Sequence, residues 1–159
     1  MVFEVYSPKP GILLVRYFGK EFEARIYQCW KKNKDVDAEL QDLGLAPDLP
    51  VALIPSKLIE SDVQLIQGVA HYYMNKNLLT RIRHKGLLLA TLVTGFKQLK
   101  DLLENLRVSY SQSERYFIVA ATGGFPRPPN CSDYEIHETD FAKDITNIVK
   151  NVAVVLDLL

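Results

Sequence analysis

The chain has 159 residues, of which 48% are apolar and 24% are charged, and its 19 Lys and Arg balance its 19 Asp and Glu. This composition is typical of one globular domain with a sizeable core, and the zero net charge excludes attraction of the whole molecule to nucleic acid. No uncharged apolar run is long enough to span a bilayer, and the N-terminal residues lack the pattern of a signal peptide. We therefore expect no membrane partner and a cytoplasmic location, with the nucleus also open for a eukaryotic chain.

The chain is predicted to begin with a β-hairpin. Residues 2–6 and 12–18 read as strands, and Ser7–Gly11 reads as the turn between them because it holds two prolines and a glycine. Residues 20–34 are predicted to form a helix. Its apolar face would consist of Phe22, Ile26, Cys29 and Trp30.

The next segment is polar and predicted to be largely irregular. It shows weak helical character over residues 38–43 and a stop at Gly44. The apolar run 51–54, ended by Pro55, fits a short buried strand.

Residues 61–108 read as three consecutive helices, around which the rest of the chain is organised. Ser61 and Gln64 have the spacing of a capping box, which predicts the start of the first helix. The second is predicted over residues 82–93, is apolar on most sides and should lie in the core, and Gly95 should end it. Apolar residues of the third helix are Phe96, Leu99, Leu102, Leu103 and Leu106.

The C-terminal part is predicted to contain the best buried strand, residues 115–122, followed by a loop over 123–130. Residues 134–137 read as an edge strand, and 141–159 as a last helix with a broad apolar face. Strands on both sides of a helical middle predict an α+β fold in one domain, 1–159. We expect a two-layer sandwich in which a small, mostly antiparallel sheet packs against a helical layer.

Groups that could support catalysis are scattered. The histidines, His71, His84 and His137, do not form a metal-binding pattern, and His71 is expected to be a partly buried core residue. Cys29 and Cys131 are far apart and predict no disulfide; Cys29 is expected in the core, whereas Cys131 should be dispensable. We therefore expect no metal, no cofactor and no enzymatic activity of the isolated chain.

The connection before the second helix, together with the start of that helix, is basic. It holds Lys76, Arg81, Arg83, His84 and Lys85. Cations at a helix N-terminus oppose the helix dipole, so an anionic partner would explain them, although a solvated charge cluster is the simpler alternative.

Residues 50–122 resemble the small kinase-binding subunit of the KEOPS complex, the TPRKB type. The resemblance is carried by LIPSKLIESDVQLIQGVAHYY, LLTRIRHKGLLLATL, TGFKQLKDLLENLRV and RYFIVAAT. The sequence departs from the family pattern in three places. It lacks the glutamate usual at the start of the apolar helix, and Leu102 and Arg107 replace the usual alanine and glycine.

The resemblance implies a non-catalytic subunit that binds an atypical protein kinase and tRNA, including its 3′ CCA end. KEOPS installs the threonylcarbamoyl group on the adenosine next to the anticodon, and other subunits perform the chemistry. Candidate phosphate-binding residues are Lys76, Arg81, Arg83, Lys85 and Lys97. Tyr72, Tyr73 and the arginine planes are candidates for contacts with bases.

The apolar face of the last helix is wider than one core-facing stripe requires, so part of it is a candidate kinase interface. The candidates are Val149, Val155, Leu156 and Leu158. Two other functions stay open. One is a small stand-alone enzyme or metabolite-binding protein that uses Cys131 or the Gly123-Gly124 loop, and the other is a protein-only scaffold.

Overall fold

The structure is a computed structural model and describes residues 3–17, 19–46, 48–74, 84–96 and 98–136. Its strands are β1 (Phe3–Lys9), β2 (Ile12–Tyr17), β3 (Lys20–Trp30), β4 (Val51–Pro55), β5 (Arg115–Ala120) and β6 (Cys131–Asp133). Its helices are α1 (Val36–Leu43), α2 (Asp62–Met74), α3 (Lys85–Thr94) and α4 (Leu99–Gln112), and a 3-10 turn covers Ser56–Leu58.

The six strands form one antiparallel sheet, with the order β1-β2-β3-β5-β4. The long strand β3 is its spine: residues 20–25 pair with β2, and residues 25–30 pair with β5 on the other side. Strand β6 pairs with residues 27–29, next to the end of β2. The predicted α+β class is confirmed.

The sheet is covered on both faces. The larger core cluster contains Ala52 and Ile54 of β4 together with apolar residues of α2, α3 and the first half of α4. Val51 and Leu53 point to the opposite face, where α1 and Phe125 cover a smaller cluster. Burial on both faces explains why β4 reads as a continuous apolar run.

The predicted helix over residues 20–34 is wrong, because this segment is β3. Its burial alternates between the two faces, with Ala24 and Ile26 in the larger cluster and Tyr27 and Cys29 in the smaller one. Burial on both faces gave apolar spacings that a helix would also produce. Trp30, expected in the core, is 55% exposed at the end of the strand.

The other predicted helices that the structure describes are confirmed, although α4 begins at Leu99 and leaves Phe96 before it, and the strands predicted around β2, β4 and β5 are confirmed. Gly44 and Gly95 end α1 and α3 in the left-handed conformation, with φ of 69° and 80°. The Gln64 side chain accepts the Ser61 backbone N–H at 3.3 Å, one half of the expected capping box. None of the described helices has both the length and the apolarity needed to cross a bilayer.

Two strand boundaries differ from the prediction. Strand β1 continues through Ser7 to Lys9 with an irregularity in its pairing between Tyr6 and Lys9, where the Ser7 hydroxyl donates to the Ile12 carbonyl at 2.7 Å. The last strand lies at 131–133 rather than 134–137, in register with residues 27–29 of β3. Residue 137 and the predicted helix 141–159 lie outside the described residues.

Cys29 and Cys131 form a disulfide across 102 residues of sequence, so the prediction of two unpaired cysteines is wrong. They lie directly opposite each other in the β3–β6 pairing. Cys131, which follows the predicted loop 123–130 and was expected to be dispensable, is buried. This contact joins segments that are remote in sequence, and no local pattern announces it.

The disulfide changes the expected effect of cysteine substitutions. With unpaired cysteines, Cys131→Ser would leave the stability of the protein unchanged. Because the two cysteines are joined, loss of either sulfur removes the cross-link and should lower the free energy of unfolding by about 2–5 kcal/mol. Urea unfolding with and without reductant measures this. In reductant, the native chain should lose most of its advantage over Cys131→Ser; equal stability of the two in oxidising buffer would contradict the assignment.

Helices α2 and α3 approach each other closely at Gly68. A Cβ at this position would meet the Val93 side chain and lie 2.9 Å from its Cα, whereas a Cβ on Gly124 would meet nothing within 4 Å. Gly68→Ala should therefore destabilise the fold by about 1–3 kcal/mol through overpacking. Thermal unfolding measures it, with Gly124→Ala as the matched control. Similar melting temperatures for the two variants would show that the helices separate without cost.

Candidate functional site

The predicted basic patch is described at one end only. Lys85 is the first residue of α3 and is half-buried, and His84 before it is exposed. The other candidate RNA-binding residues lie outside the described residues: Lys76, Arg81, Arg83 and Lys97. The candidate kinase-interface residues also lie outside them: Val149, Val155, Leu156 and Leu158.

A backbone contact fixes the start of α3. A Cβ on Gly86 would lie 2.7 Å from the Val51 carbonyl oxygen and 3.3 Å from that of Leu49, so this position has no room for a side chain. The first turn of α3 contains no acidic residue. Free backbone N–H groups and Lys85 therefore add their positive charge at one place, without a carboxylate in that turn to offset it.

The proposed base contacts of Tyr72 and Tyr73 are not supported, since both side chains are buried in the larger core cluster. The Tyr73 ring stacks on Phe22 with 4.7 Å between ring centres, and its hydroxyl donates to the Glu23 carbonyl. Burial raises the pKa of both tyrosines. Tyr73 joins α2 to β3, and neither tyrosine offers an exposed ring to a base.

His71 is buried in α2, more completely than expected. Burial lowers its pKa to about 4. Among the described residues, no group of His, Cys, Asp and Glu side chains could hold a metal ion.

The two features that favoured an enzyme have other roles in the structure. Cys131 is joined to Cys29 and has no thiol while that bond is intact. The space above Gly123 is filled by the carboxylate of Glu23, which its Cβ would overlap. A carboxylate at this place would repel a phosphate, so the Gly123-Gly124 loop lacks the character of a phosphate cradle.

A buried carboxylate holds the corner that follows β3. Glu39 of α1 is fully buried and accepts the backbone N–H groups of Lys32 and Asn33 at 2.8 and 3.2 Å. The Tyr110 hydroxyl of α4 donates to the same carboxylate at 2.7 Å. Burial, followed by this bond to Glu39, raises the pKa of Tyr110. One carboxylate thus joins α1, α4 and the end of β3.

The exposed Trp30 adjoins this corner. Its partner across the sheet is Arg115 at the start of β5, whose guanidinium lies 4.0 Å from the centre of the indole ring. The contact between Trp30 and Arg115 could not be predicted from a helix over residues 20–34, because that helix would place Trp30 on a buried face. The run Trp30-Lys31-Lys32-Asn33-Lys34 after a strand is the signal that could have found it.

The described surface has several concave regions, the widest of which, about 590 Å³, lies along the exposed side of α4 between Leu99 and Val108. A groove of about 330 Å³ lies between α1, β4, α3 and α4 and is lined mainly by apolar side chains, including Leu40, Leu87 and Leu103. A smaller one of about 250 Å³ lies under the proline-rich loop 125–130 and contains side chains of both charges, including Lys32, Asp42 and Arg127. Neither of the last two regions brings together a nucleophile and a base.

No family model matches the chain, and comparisons with curated proteins and with solved structures likewise find no match.

The buried His71 should make stability depend on pH. The unfolded chain gains this proton near pH 6.5, and the folded one only near pH 4, so stability falls as the pH falls between these values. The loss should reach about 3 kcal/mol. Urea unfolding at pH 7 and pH 4 measures it, and His71→Phe should remove this part of the pH dependence. An equal loss of stability in the native protein and in the His71→Phe variant would assign the pH dependence to carboxylates instead.

Proposed function

We propose that this protein is a non-catalytic subunit of a KEOPS-type complex that binds the complex's atypical protein kinase and tRNA, including the 3′ CCA end. In this role it supports threonylcarbamoyl-adenosine formation by other subunits. The proposal includes a cytoplasmic location, or a nuclear one in a eukaryote. In such reducing compartments disulfides are uncommon outside hyperthermophiles, so the Cys29–Cys131 bond weighs against an ordinary mesophilic cytosol.

The main support is the way the matched segments fold. They form β4, the 3-10 turn, α2, α3, α4 and β5, which are consecutive in the chain. Strands β4 and β5 pair, α3 packs on β4, and α2 packs on α3. The segments that carry the resemblance therefore form one contiguous packed unit in this chain.

The observation that carries the RNA-binding part is the N-terminus of α3. Lys85, the exposed His84 and an acid-free first turn make this place electropositive. The Gly86 contact with β4 holds it in position relative to the sheet. Arg81 and Arg83 precede it in sequence, so a short stretch of chain supplies several cations for phosphates.

The alternatives differ in their observable consequences. A protein-only scaffold would co-purify with the kinase and give no shift of tRNA at any salt concentration. The metabolite-binding alternative has the least support, because Cys131 is in a disulfide and Glu23 fills the space above Gly123.

For the kinase contact, we retain Val149, Val155, Leu156 and Leu158 as the proposed interface. The variant Leu156→Glu should then weaken kinase capture without unfolding the chain.

A tRNA shift assay tests the RNA-binding part. The double variant Arg81→Glu with Arg83→Glu should weaken binding, and each lost phosphate contact should reduce the salt slope of log K by about 0.7–0.9. Removal of the 3′ CCA from the tRNA should also weaken binding. The measurement is a titration at several salt concentrations.

The matched control is Lys9→Glu, a charge reversal at an exposed residue of β1. It should leave the salt slope unchanged. Equal binding of tRNA with and without CCA, together with an unchanged slope in the double variant, would contradict the proposed patch.

A further inference from the structure

One end of the sheet collects an exposed aromatic ring and several cations. The register pairs Trp30 with Arg115 and Pro55 with Tyr116, so the end of β3, the start of β5 and the end of β4 lie together. Lys57 follows β4 in the 3-10 turn, and the Ser56 hydroxyl donates to the Arg115 carbonyl at 2.9 Å. The topology thus brings together residues that are remote in sequence.

Trp30 is unusual for its exposure. It is 55% exposed, although Cys29, the residue before it, is fully buried. Cation–π contact with Arg115 presents the indole and the guanidinium as one pair of planar groups. Both types of plane stack on nucleobases in single-stranded nucleic acid.

The backbone around Trp30 is held in place from two sides. The Asn130 side-chain amide donates to the Trp30 carbonyl at 2.8 Å. On the other side, the buried Glu39 carboxylate accepts the N–H groups of Lys32 and Asn33. A ring presented on a fixed backbone loses little conformational entropy when a ligand stacks on it.

Cations outnumber acids near this ring. Lys32, Lys34 and Lys57 are exposed, and the Lys57 ammonium donates to the Gln112 side chain at 3.3 Å, whereas Lys31 is engaged by the carbonyl and ring of Tyr110. The neighbouring exposed acids are Glu114 and Asp35, together with Asp42, whose carboxylate accepts the Asn33 side-chain amide at 2.6 Å. The ammonium groups are suited to phosphates on either side of a stacked base.

We propose that Trp30 and Arg115 form a stacking site for an unpaired nucleobase of single-stranded RNA, with Lys32, Lys34 and Lys57 contacting its phosphates. This inference rests on the proposed function in treating the protein as an RNA binder, but it concerns a separate place. Gly86 packs against Val51 at the start of β4, whereas Trp30 lies level with its other end. The strand's length of five residues separates the two by roughly 13 Å.

Trp30 is the one tryptophan in the chain, so its fluorescence reports on this site alone. The full chain is titrated with a hexamer of adenylates and with an abasic oligonucleotide of the same length and charge. The hexamer should quench the emission, and the abasic one should bind at least tenfold more weakly without quenching it. Equal quenching by both, or binding of the hexamer without quenching, would overturn the proposal.

Variants test the same point with a labelled hexamer and fluorescence anisotropy. Trp30→Ala should reduce affinity at least tenfold, and Trp30→Phe should restore most of it because phenylalanine also stacks on bases. The control is Leu103→Ala, which truncates an exposed apolar residue on α4. Because Trp30 is exposed, the melting temperature of the Trp30→Ala variant should differ little from that of the native protein. Unchanged affinity of this folded variant for the hexamer would overturn the proposal.

The outcomes separate this site from the patch at α3. If Arg81→Glu with Arg83→Glu weakens the tRNA shift while the hexamer fails to quench Trp30, the proposed function stands and the stacking site falls. If the hexamer quenches Trp30 and the double variant leaves tRNA binding unchanged, the stacking site stands and the α3 patch falls. If the kinase subunit quenches the Trp30 fluorescence and no RNA does so, the stacking site falls and this surface is a protein contact instead.

Discussion

The pairing of β3 with three other strands is the constraint on which the rest of the structure depends. Its first half pairs with β2, and its second half lies between β5 and β6. Because its side chains alternate between the faces, β3 contributes to both core clusters. The disulfide secures β6 to it, and the Glu39 carboxylate secures the chain that leaves it. Each candidate surface is therefore positioned, directly or through β4 and β5, relative to this strand.

Elements with a strong local signal could be predicted from the sequence. Strands β4 and β5 are short apolar runs, and α1 and α3 end at glycines whose left-handed conformation is the expected stop. Strand β3 could not be predicted in this way, because a strand buried on both faces loses the simple alternation of a half-exposed one. Its identity depends on partners supplied by other parts of the chain.

The site illustrates the same limit. Lys85 could be assigned to a helix start because its neighbours have a clear pattern, whereas Tyr72 and Tyr73 were mistaken for available rings. Their burial depends on packing against Phe22 and β3, whose nature the local sequence concealed. The exposure of Trp30 could not be predicted either, because it also depends on tertiary packing. A strand end is exposed or covered according to what lies beyond it, and that is a tertiary property.

The long sequence separation between β3 and its partners β5 and β6 has a consequence for biosynthesis. Strands β1, β2 and β3 are consecutive and can pair as soon as they leave the ribosome, but β5 begins only at Arg115 and the disulfide spans 102 residues. Until then the second half of β3 has two unpaired edges and an apolar surface on each face. Such high contact order slows folding and leaves a nascent chain open to association through strand edges. Production of this protein should therefore depend on how quickly its C-terminal third follows the hairpin.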